Sequence, residues 1–184
     1  MTYYGAKELA AAFRTVRKNT ITIAQEVSEE NYGFRATPET RTIAETLVHI
    51  AVAPRLNYQI QAVEKLDSLA GFDFLTFLGG LIAIEKHPHT KAQVIALLTE
   101  EGDRYASWLE TLNDEFLAES VAMPPGMPGP TSKSRFEMIM SVKEHEMHHR
   151  GQLMVLERLV GVKPHLTRQM EEMMAMMQSA KAGA

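Results

Sequence analysis

Residues 134–161 read SRFEMIMSVKEHEMHHRGQLMVLERLVG. Ser132 or Ser134 can open a helix here, and Gly161 is placed to end it, in the left-handed conformation glycine takes just past a helix C-terminus. A helix turns about 100° per residue. With His145 set at zero, Met138, Val142, Leu153, Leu156 and Val160 fall within about 80° on one side. His149 lies about 40° round and one turn further on. His145 and His149 therefore interrupt an apolar stripe. His148 lies about 60° to the other side, among Ser141, Glu144 and Gln152.

Outward from this stretch the chain reads as more helices. Leu9, Phe13, Val16, Thr20, Ile23 and Val27 share one face of a first helix over residues 5–27. Gly33 and Pro38 then break the pattern. Thr42 and Glu45 fit a capping box, which starts a second helix over residues 42–66, with a kink expected at Pro54. GFDFLTFLGGLIAIEKHPH, residues 71–89, reads as a loop with a short helix. Thr90 can cap a third long helix over residues 91–112. MPPGMPGPT, residues 123–131, can be neither helix nor central strand and serves as a connector. A last helix is expected over residues 167–179. No alternating strand pattern and no internal repeat is visible.

The class is all-α: an antiparallel four-helix bundle with short additional helices. The 184 residues suit one domain, 1–184, with residues 165–184 as a C-terminal helix and tail. Five of the 12 methionines fall in QMEEMMAMMQ, residues 169–178. That stretch is either a dimer face or a helix packed on the bundle.

Composition narrows the chemistry. The net charge of −4 offers no basic field for a phosphate backbone, so no nucleic-acid partner is expected. The chain has no cysteine, which excludes disulfides, thiolate metal sites and a cysteine nucleophile. Any metal must be held by His, Asp or Glu. No apolar run is long enough to span a membrane and no signal core opens the chain, so the expectation is a cytoplasmic protein without a membrane partner.

Two core-facing imidazoles are costly unless something satisfies them. A metal does so, and histidines at i and i+4 suit one ion. The competing reading is one hydrogen-bonded core histidine and one half-exposed one. A metal needs a third ligand. His87 and His89 flank Pro88 in an expected loop and read as solvated; His165 reads as a turn or surface residue. His49 sits mid-helix in AETLVHIAVA, among the small residues Thr42, Thr46 and Ala53. It is the best partner for the pair. Three histidines from two helices leave a pocket open on one side, as a catalytic metal requires. Glu45, Glu144 and Gln152 could orient an imidazole; the two glutamates otherwise read as solvated helix face.

HEMHH also matches H-E-x-x-H, with Glu146 as a protease's general base and Glu171 or Glu172 as a downstream ligand. Against this, Gln152 stands where the extended motif needs Gly, no strand is available to present a peptide, and Glu146 points about 100° away from His145.

Three blocks carry a family resemblance. NYGFRATPETRTIAETLVHIA (residues 31–51), HEMHHRGQLMVLERLVGV (145–162) and VKPHLTRQ (162–169) resemble the DinB / YfiT-like superfamily of metal-dependent four-helix proteins. The H-x-x-x-H-R-G-Q element is the most specific. The resemblance implies an up-down-down-up bundle and carries the family's metal site onto His49, His145 and His149. It also implies a homodimer and a divalent metal, zinc or nickel first, with iron or manganese compatible. Among its relatives are transferases that use a low-molecular-weight thiol and a maleylpyruvate isomerase. The implied function is therefore a metal-dependent S-transferase or isomerase acting on a small-molecule substrate. The alternative is a non-catalytic metal-binding or stress-response protein.

Overall fold

The computed structural model describes residues 4–126 and 128–182. Both ends of the expected domain, residues 1–3 and 183–184, and Met127 of the expected connector lie outside the described residues. The helices in chain order are α1 (Ala6–Glu26), α2 (Ile43–Val52), α3 (Pro54–Tyr58), α4 (Phe74–Lys86), α5 (Lys91–Leu109), α6 (Asp114–Ala118), α7 (Arg135–Leu159) and α8 (His165–Ala182). Helices α1, α2–α3, α5 and α7 make the bundle, and two apolar layers fix their directions. At one end Leu9 and Phe13 of α1 pack with Tyr105 and Leu109 of α5 and Ile139 of α7. At the other, Ile23 meets Leu47 of α2, Val94 and Leu98 of α5, and Leu153 and Leu156 of α7. So α1 and α7 run one way and α2 and α5 the other: up-down-down-up.

Local chemistry explains the helix starts. Thr42 accepts from the Glu45 amide while Glu45 accepts from the Thr42 amide, the expected capping box. Ser134, rather than Ser132, caps α7 through the same exchange with Glu137. Gly161 follows α7 with φ 81°, which favours glycine. Pro54 does not stop the second helix. The chain continues through α3 into a π-helical turn, Gln59–Val63. Proline has no N–H to offer the carbonyl four residues back, that of Ile50. Arg17 Nη2 donates to that carbonyl at 3.1 Å.

Between the two apolar layers lies a polar one. Arg17 Nη2 pairs with Glu146 Oε2 at 2.9 Å, and both side chains are nearly inaccessible, at 4% and 2%. The Arg17 Nε lies 3.0 Å from Glu146 Oε1, Thr20 donates to the same oxygen at 2.7 Å, and Arg17 Nη1 donates to the Leu98 carbonyl at 2.8 Å. This one guanidinium ties together α1, α2, α5 and α7. Gly102 makes room for it: a Cβ there would sit 2.8 Å from Arg17 Cγ.

Several expectations change. Residues 74–86 form a full α4, hidden from the periodicity by its overall apolarity and the Gly79–Gly80 pair. A two-stranded hairpin, β1 (Ser120–Ala122) with β2 (Ser132–Ser134), flanks the Pro/Gly connector. Three-residue strands are too short to alternate visibly. Helix α8 starts at His165, which is 4% exposed rather than a surface residue. The methionines of α8 do not pack on the bundle: Met170, Met173, Met174, Met176 and Met177 are all exposed.

Candidate metal centre

His49 lies in the last turn of α2; His145 and His149 lie one turn apart on α7. Helices α2 and α7 are packed neighbours. The structure brings all three side chains to one point. His145 Nε2 is 3.1 Å from His49 Nε2 and 3.2 Å from His149 Nε2, and one ligand atom from each ring lies within 4.8 Å of the others. Three nitrogens at 2.0–2.1 Å from one tetrahedral ion would stand about 3.3 Å apart.

The outer ring nitrogens decide what the inner ones can do. His49 Nδ1 is 3.0 Å from Glu85 Oε2, and a carboxylate only accepts, so the ring donates there. His149 Nδ1 donates to Gln152 Oε1 at 2.8 Å; the other end of that amide donates to His148 Nε2 at 3.2 Å. With Nδ1 protonated, the Nε2 of each neutral ring is a bare lone pair. His145 Nε2 can give a proton to one of these neighbours, not to both. Extra protons are disfavoured as well. Burial, then the neighbouring His149 and His49, push His145 down to about 4. Burial first, then Arg41 and His149, lowers His49, and burial lowers His149. Three ring nitrogens facing one another with at most one proton among them fit a cation best.

Glu85 has a second anchor: Arg41 Nε donates to its other oxygen at 2.7 Å. Glu85 carries no local signal in the sequence, because its approach to His49 depends on how α4 lies over α2. Gln152 was visible as a candidate. Glu45 is a capping residue that also pairs with Lys86, and Glu144 is exposed, so neither orients an imidazole. His148 is exposed outside the cluster, His87 is exposed, and His89 holds the Ile84 carbonyl at 2.9 Å. Glu146 turns into the Arg17 layer and is not free to act as a base beside the histidines.

Beside the cluster is a cavity of 470 Å³ with His49 and His145 in its wall. The remainder is mainly apolar, including Val52, Leu56, Phe74, Leu81 and Met138. The volume suits a small organic molecule.

Fold and site together define a four-helix bundle with a three-histidine cluster able to hold one metal ion, open to an apolar cavity. The family model of the DinB superfamily matches residues 12–153, and the chain belongs to that superfamily. No curated protein matches the chain. Among solved structures, the chain is similar to YfiT from Bacillus subtilis, described as "a probable metal-dependent hydrolase with an unusual four-helix bundle topology". The TM-score is 0.68 at 14% identity, over 89% of this chain and 91% of that one. It is also similar to the DinB-like protein YjoA of Bacillus subtilis, with a TM-score of 0.61 at 19% identity, over 84% and 92% of the two chains. These likenesses bear on the fold. Among the described residues, no helix is long and apolar enough to cross a membrane.

Proposed function

We propose that this chain is a divalent-metal-dependent enzyme that transfers or isomerises a small molecule with the help of a low-molecular-weight thiol. The observation that carries the metal reading is the meeting of three Nε2 atoms, two of them left bare because their Nδ1 is held by Glu85 and Gln152. Zinc or nickel suits an all-imidazole set best, with iron or manganese compatible. Bound there, the ion would supply a Lewis acid able to lower the pKa of a coordinated water or thiol. The chain's own contributions are separate. Glu85 and Gln152 hold two imidazoles in orientation, and the apolar wall excludes water and sequesters the substrate body.

The chain has no cysteine, so any thiol must come from outside. One feature weighs against hydrolysis. The acidic side chain in the cavity wall, Glu85, is engaged by His49 and Arg41, which leaves hydrolysis without a free carboxylate base there. Hydrolysis is the second reading, supported by the likeness to YfiT.

Protein purified without a histidine tag should contain about one equivalent of divalent metal by elemental analysis. It should conjugate small thiols to an electrophilic fluorogenic acceptor, and chelation should abolish the activity. Ester or amide hydrolysis without thiol transfer would favour the second reading. Neither activity in fully metal-loaded protein would remove both.

A further inference from the structure

The cavity has a second polar end. Met138, Ser141, Val142 and His145 of α7 lie along it, and beyond the start of that helix it reaches Lys133 on β2. Ten residues separate Arg135 from His145, which at the helical rise is about 15 Å. Lys133 is half-buried, and among the described residues its ammonium makes no close ion pair and no hydrogen bond; the acid that feels its charge is Glu137, whose carboxylate is engaged by the Ser134 amide and hydroxyl. The other cation in the wall is Arg41, near the histidine end, where Glu85 offsets it. The long axis therefore joins the three-histidine cluster at one end to an ammonium with free donors at the other, with apolar side chains between.

An ammonium at the edge of an apolar cavity, with its acidic neighbour engaged elsewhere, keeps N–H donors free for a ligand. An anion entering from the cavity would accept a charge-assisted hydrogen bond from them. A wholly apolar ligand would leave those donors unused. A compact polar ligand could not fill the apolar middle.

We propose that the cavity binds an elongated, largely apolar small molecule that ends in a carboxylate, with the carboxylate at Lys133 and the reacting end at the three histidines. This rests on the metal-site reading for the reacting end, while the Lys133 end stands on the cavity alone.

The test is direct binding, by calorimetry, of three probes of matched length: ω-mercaptoundecanoate, ω-mercaptoundecanol and undecanoate. In metal-loaded protein the mercapto-acid should bind about 10- to 100-fold more tightly than the mercapto-alcohol, the range of a hydrogen bond between charged groups. Lys133→Met should remove that preference while changing the alcohol less than about threefold. Lys133 is exposed enough for the variant to fold, which circular dichroism checks. Equal binding of acid and alcohol overturns the proposal. So does an acid preference that survives in Lys133→Met but disappears in Arg41→Met, because the charge is then read at the histidine end. Metal-stripped protein separates the two readings. The mercapto-acid should lose its advantage over undecanoate when metal is removed. If that advantage persists, the metal reading fails, while a Lys133-dependent acid preference still upholds the anion site.

Discussion

His145 and Glu146 are adjacent in sequence and both turn inward, yet their surroundings differ in kind. Glu146 meets Arg17 and Thr20, and the remaining donors of Arg17 reach the Ile50 and Leu98 carbonyls. That layer is satisfied within the chain. Around His145 the inner nitrogens of three rings face one another with too few protons to go round. Buried polar groups that satisfy each other hold a fold together; a buried set that cannot do so awaits a ligand. The contrast also dissolves the protease reading. The glutamate of H-E-x-x-H belongs to the satisfied layer, and the histidines belong to the unsatisfied one.

The sharpest way to break the contrast is to remove one member from each side. His49→Ala, His145→Ala and His149→Ala should each drop metal from about one equivalent to near zero by elemental analysis, with far-ultraviolet circular dichroism unchanged. Metal retained in all three variants would show that the cluster is not the site. Glu146→Ala should do the opposite. It strands a buried guanidinium and should cost about 3–5 kcal/mol in urea unfolding, while the folded fraction still takes up metal. Arg17→Met with Glu146→Leu should recover only part of that loss, because the Ile50 and Leu98 carbonyls then lose their donor. Loss of metal in folded Glu146→Ala would mean that the two layers are one unit.

The helical period explains why half of this was legible in the sequence. His145 and His149 share a helix, so their common face follows from spacing alone, and His49 stood out among small neighbours. The capping box at Thr42 and the glycine after α7 are likewise local. Arg17 and Glu85 were not legible. Each acts through a partner on another helix, and no local pattern encodes how four helices are rotated against one another. Glu146 misled for a related reason. It lies off the histidine stripe, but α7 packs against α1 as well as α2, so a second face of the same helix is buried. Helix α4 is longer than its sequence pattern suggests, because it packs mainly on α2 and lacks an amphipathic pattern.

A third buried acid gives the comparison an intermediate case. Glu157 on α7 is inaccessible, and neither carboxylate oxygen has a hydrogen-bond partner among the described residues. Burial first, and then Glu26, push it up to about 7, against the opposing pull of Arg168 and Arg158. The fold favours the protonated acid. Between about pH 4.5, where the unfolded chain releases this proton, and about pH 7, where the folded chain does, the native state holds more protons. Stability from this group is therefore present at low pH and falls as pH rises through that window. Glu157→Gln should stabilise the protein at pH 8 by up to about 3 kcal/mol and make little difference at pH 4.5. Urea midpoints of both proteins at the two pH values read the difference directly. An equal destabilisation at both would place Glu157 with Glu146, as a charged and partnered residue.

The gentlest test asks how far the outer ring nitrogens matter. Glu85 and Gln152 touch the cluster only through His49 Nδ1 and His149 Nδ1. If they fix which nitrogen carries the proton, Glu85→Ala and Gln152→Ala should each weaken metal binding by about 10- to 100-fold without abolishing it. Competition against a chromophoric chelator measures this. Glu85→Ala should have the larger effect, because an anionic acceptor strengthens the imidazole as a ligand more than a neutral amide does. It also leaves Arg41 unpaired beside the site, and a free cation there opposes a metal ion. Pairing Glu85→Ala with Arg41→Met separates the two contributions. If the added change restores affinity fully, Glu85 serves to neutralise Arg41. If affinity stays low, it serves to orient His49. Unchanged affinity in both single variants would mean that helix packing alone aims the rings.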